Sequence, residues 1–104
     1  MGWKPLLPLA EVPVGEARPA RLGRVNLLVC RTSDDVVHVL EDVCSHDDSP
    51  LGAQTLADGM VTCPRHGARF DITTGAVRRS PAPVGIDVVP ARVQGGWVEV
   101  DLED

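Results

Sequence analysis

Two short segments carry the residues best suited to chemistry: Cys44-Ser45-His46 and, after sixteen intervening residues, Cys63-Pro64-Arg65-His66-Gly67. Thiolate and imidazole are the side chains that bind soft and borderline transition metals, and each segment offers one of each. A structural zinc ion takes two Cys and two His tetrahedrally, but its usual spacing pairs Cys with Cys and His with His. The interleaved order suits a [2Fe-2S] centre, in which one iron keeps two thiolates, the other takes two imidazoles, and each loop serves both irons. By residue type and spacing alone, both metals stay open.

The flanking residues narrow the choice. Cys44-x-His46, Cys63-Pro64-x-His66-Gly67, Phe70-Asp71, Gly75 and Pro81-x-Pro83 together resemble the Rieske-type [2Fe-2S] ferredoxins of bacterial aromatic-ring dioxygenase systems, and the resemblance covers nearly the whole chain. It implies that Cys44, His46, Cys63 and His66 hold one [2Fe-2S] cluster. It also implies a one-electron carrier that accepts from a flavin-dependent reductase, delivers to a terminal oxygenase and transforms no organic substrate itself. Two rival readings are the small subunit of an assimilatory nitrite reductase, whose partner would be the large subunit, and a zinc-bound interaction module.

The resemblance carries further expectations. Rieske proteins of cytochrome complexes join their two ligand loops by a disulfide; Ser49 and Arg65 stand at the matching positions here, so that bridge cannot form. In high-potential relatives a Ser follows the second His-Gly pair and a Tyr near the loop donates to the cluster. Ala68 takes the place of that Ser and the chain has no Tyr, which predicts a potential at the low end of the Rieske range, about -150 mV. Ser80-Pro81-Ala82-Pro83 resembles the proline loop that shields the cluster. His46 and His66 would turn one ring edge outward as the electron exit. Asp47 and Asp48, beside His46, and Arg65 and Arg69, flanking the second loop, would face a docking partner or simply solvent.

Other residues read more plainly. Cys30 sits in the apolar run Val25-Asn26-Leu27-Leu28-Val29-Cys30-Arg31 and behaves as a small buried hydrophobe. His38 is a strand residue, and Trp3 and Trp97 fill core or interface. Gly52 and Gly67 meet either a turn requirement or a close approach of backbone N-H to sulfur. Pro64 stiffens its loop.

The elements that must position the ligands follow from length and pattern. A chain of 104 residues makes one domain, small enough that a bound cluster would staple it, so ligand loops loosened without the cluster are expected. Its net charge of -5 argues against nucleic acid or an anionic membrane as partner and suits a basic docking surface. No run of 18 apolar residues is present, and the N-terminus shows neither a long apolar signal core nor a twin-arginine pattern, so cytoplasmic residence is expected.

Apolar content rests on Val, Leu and Ala, with three aromatic residues in all, which leans towards strand. Strands are predicted over 3–10, with Pro5 and Pro8 marking an edge, then over 18–22, 25–32, 36–40, 60–62, 68–72 and 76–78. Between Pro50 and Asp58 a loop or loose helical turn is expected, plugged by Leu51 and Leu56. Strands over 86–94, interrupted by Pro90, and 97–102 flank the turn Gly95-Gly96. The fold class is all-β: a sandwich or barrel-like base, residues 1–41 and 84–104, with a small cluster-binding subdomain over 42–83.

Overall fold

The computed structural model describes residues 2–45, 48–80 and 84–102. It is all-β, and eleven strands fall into three antiparallel sheets. The central sheet has the order β5-β2-β3-β4-β9, from β2 (Glu16–Leu22), β3 (Val25–Ser33), β4 (Val36–Glu41), β5 (Gln54–Thr55) and β9 (Val88–Val89). A second sheet runs β1-β11-β10, from β1 (Trp3–Pro8), β10 (Ala91–Gln94) and β11 (Trp97–Asp101). The third, β6-β7-β8, uses β6 (Met60–Thr62), β7 (Arg69–Asp71) and β8 (Val77–Arg79).

Strand β3 explains why its apolar residues run on without alternation. Side chains of successive strand residues point to opposite faces, so an unbroken apolar run requires cover on both. Leu27 and Val29 enter a core with Leu7, Val12, Val37, Val39, Val89, Val98 and Val100, contributed largely by the β1-β11-β10 sheet and the central sheet. Leu28 and Cys30 face the other way, into a core with Leu40, Cys44, Leu51, Val61, Cys63, Phe70 and Ile72. The central sheet is thus covered on one side by the β1-β11-β10 sheet and on the other by the elements that carry the two candidate ligand loops.

The prolines act as strand punctuation. β1 lies at a sheet edge, and its pairing with β11 shifts register between Pro5 and Leu7. Pro90 does more than bend a strand. It separates β9, which pairs with β4 in the central sheet, from β10, which pairs with β11, so the predicted single strand over 86–94 is two strands in different sheets. A residue without an N-H ends one ladder where the chain crosses to the next.

The segment after Pro50 is extended, without a helical turn. Gln54 and Thr55 form β5 and pair with Ala17 and Glu16 of β2. Leu51 is buried and Leu56 is partly buried against the same core, as their apolar character predicts.

Candidate metal centre

The two candidate ligand loops share one backbone design. In the first, the Cys44 N-H donates to the Ser49 carbonyl at 2.7 Å and the Asp48 N-H to the Cys44 carbonyl at 2.8 Å. In the second, the Cys63 N-H donates to the Ala68 carbonyl at 2.8 Å and the Gly67 N-H to the Cys63 carbonyl at 3.0 Å. The donor spacings, four and five residues, match. Each loop also closes through a left-handed residue at the same step, Asp48 with φ 61° and Gly67 with φ 76°. Glycine enters that region without steric cost and aspartate tolerates it, so two unlike sequences reach one conformation.

These loops bury their cysteines and expose the histidine that can be seen. Cys44 and Cys63 have no solvent exposure and lie in the same core cluster, whereas His66 is exposed. His46 and Asp47 lie outside the described residues, as do Pro81, Ala82 and Pro83 of the expected shielding loop. The arrangement suits a centre with a buried thiolate end and an imidazole end near the surface. In a two-iron centre of mixed ligation the thiolates and the imidazoles sit on different irons. The donor set therefore fits a mixed-ligand binuclear cluster.

Comparison with known proteins decides the family. The Rieske [2Fe-2S] domain profile matches residues 2–90. The chain belongs to the Rieske [2Fe-2S] domain family. It is 33% identical over 100 residues to the anthranilate 1,2-dioxygenase ferredoxin subunit of Burkholderia cepacia, covering 96% of this chain and 92% of that protein. Among solved structures, the complex of reduced oxygenase and oxidized ferredoxin in carbazole 1,9a-dioxygenase contains a chain that superposes with a TM-score of 0.83 at 31% identity, covering 97% of each. A nitrite reductase NADPH small-subunit protein superposes with a TM-score of 0.85 over 98% of this chain and 100% of that one. Its identity is 11%, so it shares the fold alone. The cofactor of this Rieske domain is a single [2Fe-2S] cluster, and the zinc alternative is set aside.

Several residues of this Rieske chain that carry no motif hold the loops in place. One Oδ of Asp42 accepts from the Leu51 N-H at 2.8 Å and from the Gly52 N-H at 3.1 Å, closing the segment after the first loop. The Gln54 amide imitates a strand neighbour: its oxygen accepts from Thr62 N-H at 2.8 Å and its nitrogen donates to Thr62 O at 3.1 Å, next to Cys63. The Ser45 hydroxyl donates to the Val84 carbonyl at 2.5 Å and ties the first loop to the chain beyond the prolines. Asp42 and Gln54 look in sequence like any polar residues between strands; only their partners, eight to ten residues away, reveal the role.

Gly52 and Gly67 both meet the turn requirement, with positive φ of 78° and 76°.

Cys30 shares the core of the two candidate ligands but differs in chemistry. Burial, with a further contribution from the Asp42 carboxylate, pushes its thiol up to about 12. It stays protonated at neutral pH, neither ligand nor nucleophile. His38 is half-buried in β4 opposite Cys30, as a strand residue. Trp3 and Trp97 are 39% and 44% exposed, so of the two expected places, core or interface, they do not occupy the core; they lie on the outer sheet, Trp3 under the Arg92 guanidinium at 4.4 Å. Covered by Val98 and Val100 from within, that sheet has no need of them as filling.

Ser49 and Arg65 meet in space. An Arg65 guanidinium nitrogen donates to Ser49 Oγ at 3.3 Å, so where cytochrome-complex relatives have a covalent bridge this chain has a hydrogen bond between the two loops. A bond of that kind contributes about 1 kcal/mol. Replacing Arg65 by Ala should leave the cluster assembled but speed its loss to a chelator by several-fold, about fivefold for 1 kcal/mol. Bleaching of the visible absorption under a ferrous chelator measures this, and an unchanged rate would remove the bond's role.

Proposed function

We propose that Cys44 and Cys63 hold one iron and His46 and His66 the other, within a cluster-binding subdomain over residues 42–83 set on a base of 1–41 and 84–104. The chain is an electron-transfer component of an oxidoreductase system of the aromatic-ring dioxygenase type, not itself the enzyme that transforms the substrate. It takes one electron from a flavin-dependent reductase and passes it to a terminal oxygenase, in the cytoplasm. Among the described residues no helix is long and apolar enough to cross a membrane. The observation that carries the reading is the pair of equivalent loops, each with its cysteine in the core, and His66 exposed beside one of them.

The cluster, when bound, supplies a site that accepts and releases a single electron. Two neutral imidazoles in place of two thiolates remove negative charge from it and make reduction easier than in an all-thiolate centre. The chain's own residues do the rest. Leu28, Leu51, Phe70 and Ile72 pack around the cysteines and keep water from the sulfur side. The backbone turns at Asp48 and Gly67 fix the direction of each loop. His66, at the surface, shortens the path to a partner.

The test is spectroscopic. Protein purified after expression with iron and sulfide available should be reddish-brown and, once reduced, give the electron paramagnetic resonance signal of a mixed-ligand [2Fe-2S] centre, with a midpoint potential near -150 mV in the lower Rieske range. Colourless protein with one zinc per chain would sink the assignment.

A further inference from the structure

The sheet that carries the second ligand loop has a charge opposite to that of the whole chain. Between residues 59 and 80 stand Arg65, Arg69, Arg78 and Arg79, four of the ten basic residues, against Asp71 as the one carboxylate; the full chain has a net charge of -5. Strand register gathers these arginines at the ligand-loop end. Thr62, which precedes Cys63, pairs with Arg69, and Arg69 pairs with Arg79, so the two arginines stand on adjacent strands beside the loop. Register slips between Arg69 and Phe70, leaving Arg78 as the extra residue of a bulge in β8.

Like charges directly opposite on neighbouring strands destabilise a sheet. Among the described residues neither Arg69 nor Arg79 makes an ion pair, and Arg69 Nε is buried without a hydrogen-bond partner. Asp71 does not serve them: its carboxylate accepts from the Thr73 N-H and hydroxyl and from Arg78 at 3.4 Å, and those hydrogen bonds hold its pKa down to about 2. Arg69, Arg78 and Arg79 line an open recess of about 400 Å³ with Asp58, Met60 and Asp71. Opposite charge near the centre comes from the first ligand loop, where Asp48 is exposed and Asp47 adjoins it in sequence.

Resting on the carrier function above, we propose that Arg69 and Arg79, with Arg65 beside the ligand loop, form a docking patch for carboxylate side chains on the surface of a protein redox partner. This reverses the expectation drawn from net charge, that the chain docks onto a basic surface. The fold gathers positive charge beside the second ligand loop, with Asp48 on the first, so a partner's acidic face is drawn to the arginine side of the cluster end. An unpaired guanidinium in an open recess meets a carboxylate from a protruding surface with two N-H groups in one plane.

The test uses the whole holoprotein and small redox probes. Reduced protein is mixed with ferricyanide, which takes one electron from each cluster and becomes ferrocyanide, or with hexaammineruthenium(III), a cation that takes one electron likewise. Net charge alone would repel ferricyanide, so that its rate rises with salt. The proposal expects the reverse: oxidation by ferricyanide slows several-fold between ~10 and ~200 mM ionic strength, while the ruthenium probe shows no such fall. In Arg69→Gln/Arg79→Gln the ferricyanide trend should flatten or invert. Arg79→Gln alone, at an exposed position, gives a partial effect if the double variant folds poorly. Poly-L-glutamate at low salt should protect the wild type from ferricyanide and leave the double variant unprotected.

Visible absorption before each run separates the two levels of failure. Protein without a cluster spectrum defeats the carrier reading; protein with the spectrum, but with a ferricyanide rate that rises with salt, defeats only the patch. Equal protection by inorganic phosphate at fixed ionic strength would also overturn it, in favour of a small-anion recess.

Discussion

Replacing Cys63 with Ala should abolish the visible spectrum and lower bound iron from about two per chain to nearly none, because one iron loses half of its thiolate ligands. Cys44→Ala should do the same. The fold should persist. Both cysteines lie in the core between the central sheet and the β6-β8 elements, whereas the second core, built on Val12, Val29, Val39, Val98 and Val100, involves neither. Far-ultraviolet circular dichroism should therefore keep its β signature, while amide exchange quickens at Asp48, Cys63 and Gly67, the donors that define the two loops. Cys30→Ala is the control. That thiol is buried in the same core and held protonated, so its removal should cost about 1–2 kcal/mol of stability and leave the spectrum intact. A coloured Cys63→Ala, or a colourless Cys30→Ala, would reassign the ligands.

Gly75→Ala should be the most damaging single substitution away from the ligands. The residue has φ 75°, and a Cβ there would lie 1.9 Å from the carbonyl oxygen of Ile86, a backbone atom that cannot step aside. The same place holds the hydrogen bond from Ile86 N-H to the Gly75 carbonyl at 2.9 Å, which clamps the β7-β8 turn to the chain returning towards β9. Separating these segments would open the core around Ile72 and Ile86. A loss of roughly 3 kcal/mol or more is expected, equivalent to a drop in Tm on the order of 15 °C. Gly96→Ala isolates the conformational part: its φ is 81° but a Cβ would meet nothing within 4 Å, so only about 1 kcal/mol should be lost. Thermal melts of both variants settle the matter, and equal drops would show that the close approach at Gly75 carries no weight.

Much of this was legible in the residues. The β3-β4 hairpin followed from two apolar runs, 25–32 and 36–40, separated by three residues. The paired Cys-x-His and Cys-x-x-His segments, together with Pro64, Gly67, Phe70-Asp71, Gly75 and Pro81-x-Pro83, were specific enough to name the family before any coordinates. What escaped depended on partners far along the chain. β5 is two residues long, too short for any periodicity, and exists because Ala17 and Glu16 of β2 offer it a ladder. The change of sheet at Pro90 was visible only as an interruption, since proline signals a lost N-H and not where the chain goes next.

The sequence by itself determined the family and the all-β class and named the candidate ligands, because metal chemistry and strand patterning are local properties of side chains and their spacing. Only the tertiary structure decided that the two candidate ligand loops repeat one backbone design, that Arg65 reaches Ser49, and that Arg69 and Arg79 stand side by side with no ion pair to either among the described residues. Each of those depends on strand register and loop closure, which the whole core sets through burial, and a charge count over the chain carries no information about where the charges meet.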